Sequence, residues 1–114
     1  MMQNEIPIIQ KVYDFYRELY LVIEKMPKKD KYTLGEKLGK TTLDLMELLI
    51  IASYTNKEEK IIYLNKANAK LEMLKIFARL SEEIKTISTK KYLLLEEKLQ
   101  EIGRMLGGWM RSLR

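Results

Sequence analysis

The stretch TLGEKLGKTTLDLMELLIIASYTN, residues 33–56, decides the fold. Within it Leu34, Leu38, Thr41, Leu45, Leu48, Leu49 and Ala52 recur at intervals of mostly three and four, the spacing that lines one side of an α-helix. Thr33 with Glu36 three residues on has the form of a capping box, in which each side chain satisfies a backbone N–H of the other. A helix is therefore predicted over about 33–54. Ser53 to Asn56 interrupts the pattern, and Thr55 with Glu58 offers a second capping box for the helix that follows. A break this short forces consecutive helices to run antiparallel.

Working outward, the preceding segment shows the same periodicity. Pro7 suits a first helical turn, where its missing N–H costs nothing. Ile9, Val12, Tyr13, Tyr16, Leu19, Tyr20 and Ile23 then mark one face, and Pro27 ends a helix predicted over about 6–26. The third helix is expected over about 57–87. After the Ser88-Thr89 break, the fourth is expected over about 89–112, with Leu95, Leu99, Ile102, Leu106, Trp109 and Leu113 on one face. Strand-type alternation is missing throughout. The reading is an all-α, up-down-up-down four-helix bundle forming one domain over residues 1–114.

Composition narrows the function. Histidine and cysteine are both absent, which removes disulfides, thiolate chemistry, imidazole bases and the usual zinc ligands. The carboxylate pairs Glu58-Glu59, Glu82-Glu83 and Glu96-Glu97 are adjacent in sequence, so on a helix each pair diverges by about 100° and cannot share a proton or a metal. Ser53, Ser81, Ser88 and Ser112 have no base to activate them. Gly103 and Gly107-Gly108 lie in a helical pattern with no strand before them, which speaks for close packing rather than a phosphate loop. No enzyme activity, cofactor or metal is expected. Apolar runs are too short for a membrane span, and Met1 to Glu5 lacks the character of a signal peptide, so a cytoplasmic location is expected.

Two features are left over. The first is an excess of apolar surface. In the third helix Ile62, Ala69, Met73, Ile76, Phe77, Leu80, Ile84 and Ile87 occupy one arc, while Leu64, Ala67, Leu71, Leu74 and Ala78 occupy another. In the second helix Leu43, Met46 and Ile50 lie off the main stripe. Either the core stripe is wide and the remainder is scattered surface, or the second face is an oligomer interface.

The second feature is charge. The formal net charge is +5, and it rises along the chain from −1 over residues 1–26 to +3 over residues 88–114. Lys75 and Arg79 lie one turn apart on the polar arc between the two apolar faces of the third helix. Lys66 and Lys70 form another such pair, and Arg104, Arg111 and Arg114 end the chain. Cationic side chains of this length can reach phosphates together. A solvated helix face, or pairing with glutamates at helical spacing, is the plainer account of each.

The string YTLGEKL, residues 32–38, followed by LDLMELLI, residues 43–50, resembles the bacterial four helix bundle protein family. That family includes the accessory variability protein of diversity-generating retroelements and the proteins encoded in intervening sequences of 23S rRNA genes. KIFARL, residues 75–80, is similar to the family's basic-apolar repeat, and IGRMLGGW, residues 102–109, to the ending of the retroelement branch. The resemblance implies a pentameric, ring-like barrel of four-helix bundles with a positive surface, built as a homo-oligomer. In the retroelement branch it implies binding to a reverse transcriptase and to RNA or DNA in support of mutagenic cDNA synthesis and retrohoming. Lys75 and Arg79 match the basic positions of the repeat and Arg104 and Arg111 the basic ending. Leu43, Met46 and Ile50 are the expected ring contacts. In the rRNA branch no polymerase partner is implied.

Overall fold

A computed structural model describes residues 6–114; the expectation about Met1 to Glu5 lies outside them. Helix α1 (Ile6–Glu24) ends two residues before the expected boundary, and Pro27 then starts the next helical run as its N-cap. That run begins earlier than expected. A single turn, α2 (Lys28–Asp30), passes through a π-helical turn (Lys31–Gly35) into α3 (Glu36–Ser53), with helical dihedrals at each junction. Helices α4 (Lys57–Glu83) and α5 (Thr89–Ser112) complete the chain.

The Thr33–Glu36 capping box does not form. Thr33 lies inside the helix, and its hydroxyl donates back to the Lys29 carbonyl at 2.9 Å. The second box is displaced by one residue. Asn56 is the N-cap and accepts from the Glu59 amide at 3.0 Å, while Thr55 donates to the Ile51 carbonyl. Ser88 caps α5 by accepting from the Lys91 amide. Helix α4 stops at Glu83 rather than at 87 because Lys85 adopts φ 68°, in the left-handed region. The Thr86 amide then bonds the Ser81 carbonyl and the Lys85 amide bonds the Glu82 carbonyl, the pairing that closes a Schellman turn.

The bundle is square in section. α1 touches α3 and α5, and α4 touches the same two, so each helix packs against its neighbours in the chain and the first packs against the last. The 27 residues of α4 at about 1.5 Å each account for the long dimension of a molecule 43 × 21 × 19 Å in extent. Leu38, Leu45, Leu49 and Ala52 of α3 and Leu95, Leu99, Ile102 and Leu106 of α5 are buried as expected. On α4 the arc of Leu64, Ala67, Leu71, Leu74 and Ala78 is the core side.

Helix α1 is rotated from the expected face. It buries Ile8, Val12, Phe15, Leu19 and Val22, while Tyr13 and Tyr20 are more than half exposed. Phenylalanine and the aliphatics have no polar atom to hydrate, whereas a phenol gains by keeping its O–H in water. Every buried side-chain polar atom among the described residues has a hydrogen-bond partner: Thr42 donates to Leu38, Ser53 to Ile50 and Ser81 to Phe77.

Candidate nucleic-acid and partner interface

The expected cationic contacts divide between the two flanks of α4. On the flank toward α3, Lys70 sits 3.5 Å from Asp44, which also pairs with Lys40 at 3.6 Å. Lys66 lies 5.8 Å from the centre of the Tyr63 ring. On the flank toward α5, Lys75 bonds Glu72 at 3.0 Å, and its ammonium lies beside Gly103, where an added Cβ would come within 3.6 Å of Nζ. Arg79 is exposed one turn further on, facing Tyr92 of α5. Partial burial raises the Tyr92 phenol above its ordinary value, the carboxylates of Glu96, Glu82 and Glu83 raise it further, and Arg79 opposes them.

Lys66 and Lys70 therefore do not join Lys75 and Arg79 in one patch. On α5, Arg104 is exposed. Arg111 folds back along its own helix, its guanidinium close to Gly107 and Gly108. Those glycines leave room for a guanidinium, and a side chain at 107 would press on it at 3.3 Å.

Between the two flanks runs an outward apolar stripe on α4. Ile62, Met73, Ile76 and Leu80 point to solvent, with Ile76 52% exposed, and the C-cap Ile84 continues them, whereas Ile87 of the expected arc is buried beyond the helix end. On α3, Leu43 and Ile50 face outward as well, while Met46 is half-buried against the core. A run of large aliphatics this long is uncommon on a free surface.

Two features escaped the sequence reading. The connectors α1–α3 and α4–α5 meet at one end of the bundle, where the Thr86 hydroxyl donates to Asp30 at 2.7 Å across 56 residues of chain. Beside that end a groove of about 570 Å³ opens between α1 and the π-turn, walled by Tyr16, Tyr20 and Tyr32, floored by Gly35 and Gly39 and closed by Leu43. The clue was the string KKDKY, residues 28–32, in which four charges precede an aromatic.

Among the described residues no three carboxylates gather into a metal-ligating group, and no helix is long and apolar enough to cross a membrane. No curated protein matches the chain. The bAvd-like family matches residues 6–113, nearly the whole of it. An all-helical bundle of four antiparallel helices agrees with that match, and the chain belongs to the bAvd-like family of accessory variability-type proteins.

Proposed function

We propose that the chain is a non-enzymatic accessory protein of a diversity-generating retroelement, acting in the cytoplasm as a homo-oligomeric ring, with five subunits by family resemblance. It bridges a reverse transcriptase and RNA or DNA and so supports mutagenic cDNA synthesis and retrohoming. The observation that carries this reading is the family match over residues 6–113, joined to exposed cations on α4 and α5. Arg79 and Lys75 make the first contacts, with Arg104 and Arg111 on α5 extending them. Lys66 and Lys70 serve the opposite flank. Lys75 gives up its hold on Glu72 to do so, an exchange between partners at a half-exposed site that costs little.

The outward stripe of α4, with Leu43 and Ile50 of α3 and the edge of Met46, packs against neighbouring subunits. Burial in a ring removes this apolar surface from water, and each ring gathers several copies of a +5 chain around one axis.

The test is charge reversal. Lys75→Glu with Arg79→Glu should abolish capture of the reverse transcriptase and of nucleic acid while light scattering shows the oligomer intact. Binding that is unchanged in this double variant, or insensitive to salt in the parent protein, refutes the proposal.

A further inference from the structure

Away from the flanks of α4, a second surplus of positive charge gathers where the connectors meet at one end of the bundle. Residues 24–31 and 82–91, the two connectors joined by the Asp30–Thr86 hydrogen bond, hold seven lysines against four acids. Two of those acids are already engaged: Asp30 accepts from Thr86, and Glu82 accepts from Thr89 at 2.7 Å with Lys85 nearby. Lys25, Lys28, Lys29, Lys85, Lys90 and Lys91 are all exposed. At the other end the α3–α4 connection is balanced in itself, with Lys57 and Lys60 against Glu58 and Glu59, and the cations there are the arginines of the α5 terminus, Arg114 lying beside Lys57 and Glu58.

The tyrosine groove opens beside this basic end. Its floor is continuous with it, since the Asp30 carbonyl lies 3.4 Å from where a Cβ on Gly35 would be. Tyr20 is 58% exposed and Tyr32 63%, so both rings present faces to solvent at the groove walls. Lys31 and Lys40 line the same groove, as do Glu24 and Glu36. The π-turn that carries Tyr32 is a device found often at functional sites.

We propose that this end binds a single-stranded polynucleotide, with an unstacked base held between Tyr20 and Tyr32 and the adjoining phosphates running over the connector lysines. The inference rests on the nucleic-acid reading given above and adds to its Lys75–Arg79 contacts a second surface, for single strands. Aromatic faces that stack bases, set among ammonium groups that follow the backbone, are the chemistry by which single strands are bound without sequence preference. A duplex keeps its bases stacked on one another and has none to offer the rings. Of the groove residues only Leu43 belongs to the ring contacts; a second copy seated over the tyrosines would bring its own surplus of lysines against these, so charge disfavours it as the occupant. The carboxylates of Glu24 and Glu36 repel phosphate but can accept from base N–H groups, which directs the base rather than the backbone into the groove.

The experiment measures fluorescence anisotropy of a labelled oligouridine and of a double-stranded RNA of equal length, across a salt series. Tyr20→Ala with Tyr32→Ala should weaken oligouridine binding by about tenfold per ring and leave the duplex unaffected, and Tyr20→Phe with Tyr32→Phe should retain affinity. Lys28→Glu, Lys29→Glu, Lys90→Glu and Lys91→Glu together should flatten the salt dependence. The proposal is overturned if the alanine pair binds oligouridine like the parent, if it loses duplex equally, or if light scattering shows that it breaks the oligomer. Loss confined to the Lys75/Arg79 variant overturns this surface but leaves nucleic-acid binding standing. A parent protein that binds neither RNA overturns both.

Discussion

Gly35 and Gly39 lie one turn apart on the same helical run, yet alanine should act on them in opposite directions. Both are helical, with Gly35 at φ −60° and ψ −47°, so each substitution removes backbone freedom from the unfolded chain and gains about 1 kcal/mol. The surroundings decide the sign. A Cβ on Gly39 would meet nothing closer than Ile23 Cδ1 at 3.9 Å, an ordinary contact, so Gly39→Ala should stabilise by the full amount. A Cβ on Gly35 would lie 3.0 Å from Ile23 Cγ2 and 3.1 Å from Met26 Sδ. The thioether can swing aside, but a β-branched side chain on a helix is held at χ1 and its Cγ2 moves only with the backbone. Overpacking of this kind costs about 1–3 kcal/mol, leaving Gly35→Ala destabilised by about 1 kcal/mol. Thermal unfolding at fixed protein concentration should show the two variants melting on either side of the parent, at about 4 °C per kcal/mol. Ile23→Ala, which deletes the offending methyl, should remove the extra penalty of Gly35→Ala in a double-mutant cycle. Equal shifts in the two variants, or a cycle with no coupling, would refute the steric argument.

Two further outcomes follow from the caps and from the tyrosine facing Arg79. Asn56→Ala should lower stability by about 1 kcal/mol by removing the N-cap of α4, whereas Thr33→Ala, at an exposed site inside a helix, should change it by less than about 0.5 kcal/mol; the reverse order in urea unfolding would restore the capping box at Thr33. The folded state holds the Tyr92 proton more tightly than the unfolded chain does. That contribution is fully present below pH 10.0, the ordinary tyrosine value, and is lost as pH rises through the higher folded value. The parent should therefore lose more stability than Tyr92→Phe between neutral and strongly alkaline pH, and parallel stability profiles would count against it.

The bundle was legible because two of its helices bury a stripe of leucines that no other phase can hide. Leu38, Leu45 and Leu49 on α3, and Leu95, Leu99 and Leu106 on α5, leave the helix no choice of inward face. Helix α4 offered two arcs of equal quality, and periodicity alone does not choose between Leu71 with Leu74 and Ile76 with Leu80. The choice is made by neighbours, a tertiary fact. On α1 the tyrosines at 13 and 20 counted as apolar in the pattern, although their hydroxyls favour water. The Thr33–Glu36 box was locally sound and lost to a helix already begun at Pro27. For the candidate interface, spacing correctly put Lys75 and Arg79 on one flank. Pairing of Lys75 with Glu72 is the helical spacing the sequence already offered, but spacing did not reveal that Asp44 holds Lys70, since a carboxylate partner on another helix cannot be read from spacing along one. The lysine-rich end escaped for the same reason, being assembled from connectors far apart in the chain. The tyrosine groove, formed within residues 16–43, escaped because the predicted break over residues 27–32 hid the helical run that carries Tyr32 beside α1.

The hydrogen bond from Thr86 to Asp30 bears also on how fast the molecule comes apart. It closes a loop of 56 residues, and the entropy of closing such a loop must be met before the bond returns anything. Contacts between helices adjacent in the chain, α1 with α3, α3 with α4 and α4 with α5, need less chain to close, so on loop entropy the bond is expected to form after them. An interaction absent from the folding transition state leaves the folding rate alone and slows unfolding. The tie between the connectors is thus a brake on opening, placed at an end of the bundle with a surplus of lysines, where their repulsion would otherwise push the connectors apart.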